Sequence, residues 1–445
     1  MKKVKIGVLG AFRGGSMIRY CKQAENAEIV AICDKNEEVL DNKKTELAMD
    51  SITYYTSFDE FIKHDGMEAV VLANYATEHA PFAIRCMEAG LHVFSEVLPV
   101  QTMKEAVELV EAVERTGKVY AYGENYCYMP APREMRRLYR EGVIGEFEYG
   151  EGEYVHNCES IWPDITYGDP DHWRNNMYAN FYCTHSIGPL IHITGLRPVK
   201  VTGFEGTKTE RKLRCGAKWG SFGIEMIELE NGGIIKSIHG DLYRNSVWYS
   251  VYGMKGRLES RREDEEGGCE GVLTLHVNAD KYSGEYAKPD IKTYEPTDAL
   301  SEKCKAFGHG GSDFYSMYNF VEKILGKEDA DTIDVYEAMD MFLPGMFAYR
   351  SVLKGGIPME VPNLRDKAVR EQYRNDTMCT DPKVAGDMLI PAFSKGNPDI
   401  PEVVYKYMRD MSEKKAAQKH AQIVEEAAKR DYECIKQQWL AEEAK

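Results

Sequence analysis

Apolar positions follow two different rhythms along this chain, and the change between them falls near residue 125. Before it, short apolar runs at 4–10, 28–33, 69–73, 92–95 and 119–122 alternate with longer segments at 15–25, 37–48, 78–89 and 102–116. In those longer segments apolar residues recur every three or four positions, the spacing of an amphipathic helix, whereas a short continuous run reads as a buried strand. The strand–helix–strand order predicts βαβ units around a parallel sheet. Thr102 and Glu105 are spaced for a capping box, and Gly90 and Gly117 stand where helix-ending glycines belong.

After residue 125 the β-type segments lengthen and become rich in Tyr and Gly, as in EFEYGEGEYVH, KVTGFEG, GIEMIELENGGIIKSIHG and WYSVYGMKGRLES. They predict an antiparallel sheet, and helical spacing at 131–141, 314–325 and 335–353 makes this part α+β. Residues 364–401 have little periodicity and several Pro, Asp and Gly, which predicts a surface-wrapping segment. From Glu402 the chain turns to Glu, Lys and Ala with apolar residues at helical spacing, which predicts one or two helices. The expected organisation is a nucleotide-type domain over 1–125, a second domain over 126–363, and a wrapping segment with a helical tail over 364–445.

Composition narrows the functional classes. With 43% hydrophobic and 29% charged residues in 445, the chain can bury a sizeable core. A formal charge of -16 disfavours nucleic acid and anionic membranes. The basic clusters at Arg136 to Arg140 and Lys414 to Lys419 lie beside acids at helical spacing and read as solvated helix faces. Eleven scattered cysteines without a C-x-x-C pair argue against a disulfide framework or zinc knuckle, so a reducing, cytoplasmic setting and no metal are expected. No apolar stretch approaches the about 18 residues of a membrane span.

The chemistry begins at Gly10-Ala11-Phe12-Arg13-Gly14-Gly15, which ends the first strand and opens the first helix. In G-x-G-x-x-G the glycines allow a tight turn and close backbone approach to a pyrophosphate seated on the helix N-terminus. Gly10 and Gly15 match, Phe12 replaces the middle glycine, and adjacent Gly14 offers relief. Asp34 ends the second strand, where a carboxylate accepts from ribose hydroxyls and repels a 2′-phosphate, which favours NAD over NADP. The same Asp34 is also placed to cap the helix that begins at Glu37. The pattern predicts a Rossmann domain, a doubly wound parallel sheet, ahead of an α+β domain with an open, mostly antiparallel sheet.

The run VVLANYATEHAPFAIRCMEAGLHVFSEVLP resembles the Gfo/Idh/MocA oxidoreductase family, whose pattern runs ATP-x-x-x-H, EAGKHV, EKP. Sugar dehydrogenases of that family use the lysine of EKP as an acid/base group, but this chain reads Glu96-Val97-Leu98-Pro99. Their D-x-G-x-H-x-x-D pattern is also altered, since Tyr182-Cys183-Thr184-His185-Ser186-Ile187-Gly188-Pro189 keeps the histidine and loses both aspartates. These departures resemble glycoside hydrolase family 109, the NAD-dependent α-N-acetylgalactosaminidases, with its EVP and Y-P-T-H-x-x-G-P. Glu124-Asn125-Tyr126-Cys127-Tyr128 is similar to that branch's E-N-x-x-Y. Gly152-Glu153-Tyr154-Val155-His156 is similar to its G-G-Y-x-H, and Gly308-His309-Gly310-Gly311-Ser312-Asp313-Phe314 to its G-H-G-G-x-D-F. Leu98 stands where the branch has proline, residues after His156 diverge, and the chain beyond about 365 matches nothing in the pattern.

The resemblance implies hydrolysis of a hexoside through transient oxidation at C3, elimination, water addition and re-reduction. By matching position it makes Glu96, Tyr128, Tyr182 and His185 the catalytic candidates. Histidine can accept a proton near neutral pH, and a tyrosine could donate or relay one if a neighbouring positive ring lowered its pKa. His156, Trp173, Arg174 and His309 are candidate sugar contacts, although Trp173 and Arg174 would equally suit domain packing. Gly10, Phe12, Arg13, Gly14, Gly15, Asp34, Asn74, Tyr75, His79, Glu96 and Asn125 are candidate cofactor contacts. A carbohydrate substrate and a homo-oligomer are expected. An ordinary sugar or polyol dehydrogenase and a noncatalytic NAD-binding regulator stand as the alternatives.

Overall fold

The computed structural model describes residues 2–262, 274–280, 288–305 and 307–443. Six strands, β1 (Val4–Leu9), β2 (Ala27–Cys33), β3 (Thr53–Tyr55), β4 (Ala69–Leu72), β5 (His92–Ser95) and β6 (Tyr120–Tyr122), form one sheet in the order β3-β2-β1-β4-β5-β6. All its pairs are parallel. β1 and β4 are buried along almost their whole length, as a sheet covered on both faces requires. The pattern missed β3, three residues of which none is fully buried, and the short helix Phe58–Phe61 behind it.

Local signals set the helix ends. Thr102 accepts from the Glu105 amide (3.1 Å), while the Glu105 carboxylate reaches back to the Gln101 amide (2.6 Å). Gly117 ends that helix in the left-handed region. The capping role expected of Asp34 falls instead to Asn36, whose side chain accepts from the Glu38 and Val39 amides. Asp34 is too far ahead of Glu37 to serve, and its two oxygens bind the Asn36 and Ala11 amides.

The second sheet contains β7 (Phe147–Val155), β8 (Pro198–Glu205), β9 (Phe222–Leu229), β10 (Ile234–Gly240), β11 (Ser246–Gly253), β12 (Gly256–Ser260), β13 (Leu275–Asp280), β14 (Pro289–Tyr294) and β15 (Met359–Glu360). Their order is β14-β13-β12-β11-β7-β10-β9-β8-β15, antiparallel except between β7 and β10. Burial alternates strictly along β10, the mark of a sheet with one packed face. Helices Thr184–Thr194 and Val335–Leu353 cover that face. Gly152 of β7 permits the contact, since a Cβ there would lie 1.9 Å from the Ser186 carbonyl oxygen.

One expectation about charge is corrected. Arg136 is buried and pairs with Asp331 at 2.6 Å, so that basic cluster is not wholly a solvated face. The tail is a single helix, Glu402–Glu443, which packs on its own chain. The ten cysteines among the described residues are free thiols; Cys269 lies outside them. Among the described residues no helix is long and apolar enough to cross a membrane, and no cluster of three or more His, Cys, Asp or Glu is placed to hold a metal ion.

Candidate active site

In an open parallel sheet, ligands bind beyond the carboxyl ends of the strands, where the connections diverge. Here Gly10, Asp34, Asn74 and Glu96 follow the ends of β1, β2, β4 and β5, and a cavity of about 450 Å³ opens there against the second domain. The glycines bring the strand tips close. A Cβ on Gly10 (φ +94°) would lie 2.4 Å from the Ala73 carbonyl oxygen, and one on Gly14 2.4 Å from Val8 Cγ1. Phe12, in the place of the middle glycine, is half exposed and lines the cavity. Asp34 accepts from the Ala11 amide at 2.9 Å and so ties the β2 tip to the glycine loop.

The cavity fits a dinucleotide by three features of the chain itself. Its loop has no room for side chains at Gly10 and Gly14, Asp34 presents a carboxylate, and Asn74 carries a buried Oδ1 without a partner. Such an orphaned acceptor is costly unless a ligand or water satisfies it. Tyr75 also lines the wall, with Lys35 Nζ 4.0 Å from its ring centroid and the His172 ring edge-on at 4.8 Å. His172, which sequence reasoning missed, is buried, and burial depresses its pKa to about 3.

Arg13 joins the two domains. Its guanidinium meets Glu96 Oε1 at 2.6 Å and spans both oxygens of Asp313 at 3.1 and 3.2 Å. Asn125 Nδ2 and His309 Nδ1 complete the Asp313 cluster, each at 3.2 Å. Burial opposes the Asp313 charge, but Arg13 and His309 outweigh it and hold the carboxyl far below the usual range. Glu96 shows the reverse balance: burial raises its pKa, and Arg13 only partly offsets that. The G-H-G-G run explains the delivery of Asp313, because His309, Gly310 and Gly311 all take positive φ and turn the chain into helix Ser312–Ile324.

A second group surrounds His185 on the first turn of helix Thr184–Thr194. Its Nδ1 lies 2.6 Å from Glu124 Oε1, and both residues are buried. Gly188 makes room for this carboxylate, since a Cβ there would lie 2.8 Å from Glu124 Cγ. The rings of Tyr126, Tyr154 and Tyr182 stand 4.4, 4.6 and 5.2 Å from the imidazole. Tyr182 lines the cavity and stacks on Trp173, with Arg174 over both rings. Burial raises the Tyr182 pKa and Arg174 opposes it.

The structure separates the sequence candidates. Gly10, Phe12, Arg13, Asp34, Asn74, Tyr75, Glu96, Trp173, Arg174 and Tyr182 line the cavity. Gly14 and Gly15 lie in and just beyond its loop, and Asn125, His185 and His309 stand in the surrounding layer. His156 lies past the Tyr154 ring, with Nδ1 2.9 Å from Cys158 Sγ. Two placements differ from expectation. Tyr128 is buried with its hydroxyl donating to the Asp331 carbonyl at 2.7 Å, and Tyr126 takes the place beside His185. The 3-10 turn Asn125–Tyr128 causes this, because residues two apart on it point in different directions. His79 is buried below the strand tips, bonded through Nδ1 to the Leu98 carbonyl at 2.7 Å, and burial lowers its pKa to about 4. Glu124 and Asp313 were legible as motif letters but not as site residues; Glu124 binds His185, and Asp313 binds Arg13, Asn125 and His309, all in the candidate set.

Residues 4–124 match an oxidoreductase family with an NAD-binding Rossmann fold, and residues 220–369 match the glycosyl hydrolase 109 C-terminal domain. A glycosyl hydrolase family 109 protein of a Shewanella species is 30% identical over 386 residues, 79% of this chain and 83% of that protein. Another from Solibacter usitatus is 28% identical over 406 residues, 81% of this chain and 88% of its own. Among solved structures, levoglucosan dehydrogenase with NADH and L-sorbose superposes with a TM-score of 0.65 at 17% identity, over 82% of this chain and 100% of that one. An oxidoreductase from Agrobacterium radiobacter, solved with NAD+, L-tartaric acid and magnesium, gives 0.64 at 13% identity, over 81% and 99%.

Proposed function

The chain belongs to glycosyl hydrolase family 109, on the NAD-binding Gfo/Idh/MocA fold, and from that premise we propose that it cleaves a hexoside with no net oxidation. The observation that supports this reading is the β5 edge. Glu96 and Val97 line the cavity there, and no lysine stands at that edge among the described residues. A sugar dehydrogenase of the fold would need that base, whereas the buried Glu124–His185 pair here provides another.

NAD, when bound, supplies a reversible hydride acceptor, so that a C3 hydroxyl can be oxidised transiently, the C2 proton acidified, the aglycone eliminated, water added and the ketone reduced again. The glycine loop would hold the pyrophosphate, Asp34 the ribose hydroxyls, and Asn74 a donor matched to its orphaned Oδ1. With Nδ1 engaged by Glu124, His185 offers Nε2 as proton acceptor. Tyr182 keeps its hydroxyl proton because burial raises its pKa, so it can donate a hydrogen bond to the sugar but lacks the lowered pKa that a proton relay was expected to have. Glu96, also raised by burial and held by Arg13, can carry a proton or orient a sugar hydroxyl. Trp173 and Arg174 present a stacking face and a hydrogen-bond donor to the sugar.

The test is a panel of nitrophenyl α- and β-glycosides with added NAD, read for chromophore and for NADH. Chromophore release without NADH accumulation is the expected result. Stoichiometric NADH from free sugars would instead assign a dehydrogenase, and measurable NAD binding with neither signal a regulator.

A further inference from the structure

Helix Glu402–Glu443 lies beyond both matched regions, yet it runs from the second domain back to the first. At its start the Tyr405 hydroxyl and Arg409 Nη1 donate to the Gly216 and Gly168 carbonyls, both at 3.0 Å. Gly168 is shaped for this contact, because a Cβ there would lie 2.5 Å from the Arg409 amide. Farther on, Lys415 Nζ binds the Ser160 carbonyl at 2.6 Å and Asp164 Oδ2 at 2.8 Å. This grips the short helix Trp162–Thr166, whose Ile165 lines the cavity.

One turn later the helix reaches the nucleotide domain. Lys419 Nζ lies 4.5 Å from the ring centroid of Phe12, the residue in the middle-glycine position of the loop. His420 bonds to Asn42 at 2.7 Å, and Arg430 donates to the Thr45 and Glu46 carbonyls at the end of helix Glu37–Leu47. Last-turn carbonyls have no partner within their own helix, so this is a favourable seat for a cation. Beside the loop, Lys43 Nζ, paired with Glu46 at 2.6 Å, sits 3.8 Å from the point a Cβ on Gly15 would occupy. Burial and then the nearby Lys43 lower the Lys419 pKa, while Glu46 and Asp164 raise it.

We infer that the C-terminal helix is part of the dinucleotide site: Lys419 and Lys43 flank the pyrophosphate seat, and the docked helix retains the cofactor by tying the two domains together beside the cleft. The inference goes beyond the glycosidase reading and rests only on dinucleotide binding. Separating the domains to release the cofactor must break the Lys415, Lys419, His420 and Arg430 contacts, which slows release. By reciprocity, bound cofactor must tighten the helix.

The experiment follows NAD release from the full chain, chased with excess fluorescent NAD analogue, in the wild type and in the Lys415→Glu/Lys419→Glu double variant. Lys415→Glu sets like charges against Asp164, and Lys419→Glu sets one against the pyrophosphate. Release should quicken by about tenfold, equivalent to about 1.4 kcal/mol. Adding Asp164→Lys restores the first pair with reversed polarity and should recover part of the loss. In the wild type, hydrogen exchange over residues 404–430 should slow when NAD is added. Release within about twofold of wild type in the double variant overturns the inference, as does tail exchange indifferent to NAD. Slow release and tail protection in a chain that cleaves no glycoside uphold the inference and remove the glycosidase reading instead.

Discussion

His185 and Glu124 form a pair in which the histidine would face substrate and the carboxylate sets its orientation, 2.6 Å from Nδ1. Removing the imidazole deletes a proton acceptor, worth about a hundredfold or more in rate for a positioned acid/base. His185→Ala should therefore lower kcat by at least about that factor while the chain keeps its far-UV circular dichroism and NAD affinity. Glu124→Gln should cost kcat to a similar order, with little change in KM, because an amide no longer enforces one tautomer. Full turnover in His185→Ala would remove it from the mechanism. At this scale the sequence singled out His185 within a run but did not single out Glu124 beside it. The link between them spans 61 positions, and nothing local in either run announces it.

At the scale of elements, the helix starting at Met103 shows how a cap couples to protonation. Glu105 reaches back to the Gln101 amide, and burial raises its pKa to about 7 despite that bond. A carboxyl raised in the folded state costs stability once it ionises, so the cost appears as pH climbs from its ordinary value of 4.5 through about 7. Glu105→Gln cannot ionise. Urea midpoints should therefore show the variant gaining on the wild type between pH 5 and pH 8, where a plain loss of cap would give a pH-independent deficit. The Thr102 and Glu105 spacing made this cap legible in the sequence; the protonation cost was not, because it depends on what later packs over the carboxylate. The β3 strand was illegible for the opposite reason. Three half-exposed residues carry too little apolar periodicity, and pairing with β2 makes the strand.

At the scale of the whole molecule, Arg13 of the first domain, partly exposed, and the buried Asp313 of the second form an ion pair that joins the domains beside the cavity. Removing Asp313 leaves Arg13 partly solvated and still paired with Glu96, so the cost falls short of the about 3 kcal/mol of a fully buried pair. Asp313→Ala should accordingly lower the thermal midpoint and loosen NAD together, as followed by calorimetry with and without NAD. A drop in one without the other would separate the domain clasp from the cofactor site. The sequence alone determined the two-domain order, the parallel and antiparallel sheets, and the glycine loop with Asp34, because periodicity and turn chemistry are local. Only the tertiary structure decided that Tyr126 and not Tyr128 meets His185, that Asn36 caps the helix after Asp34, and that His79 is buried. It also decided that the tail docks on the glycine loop of its own chain. Those outcomes depend on which way a turn aims a side chain and on partners hundreds of residues away, and neither is written in local spacing.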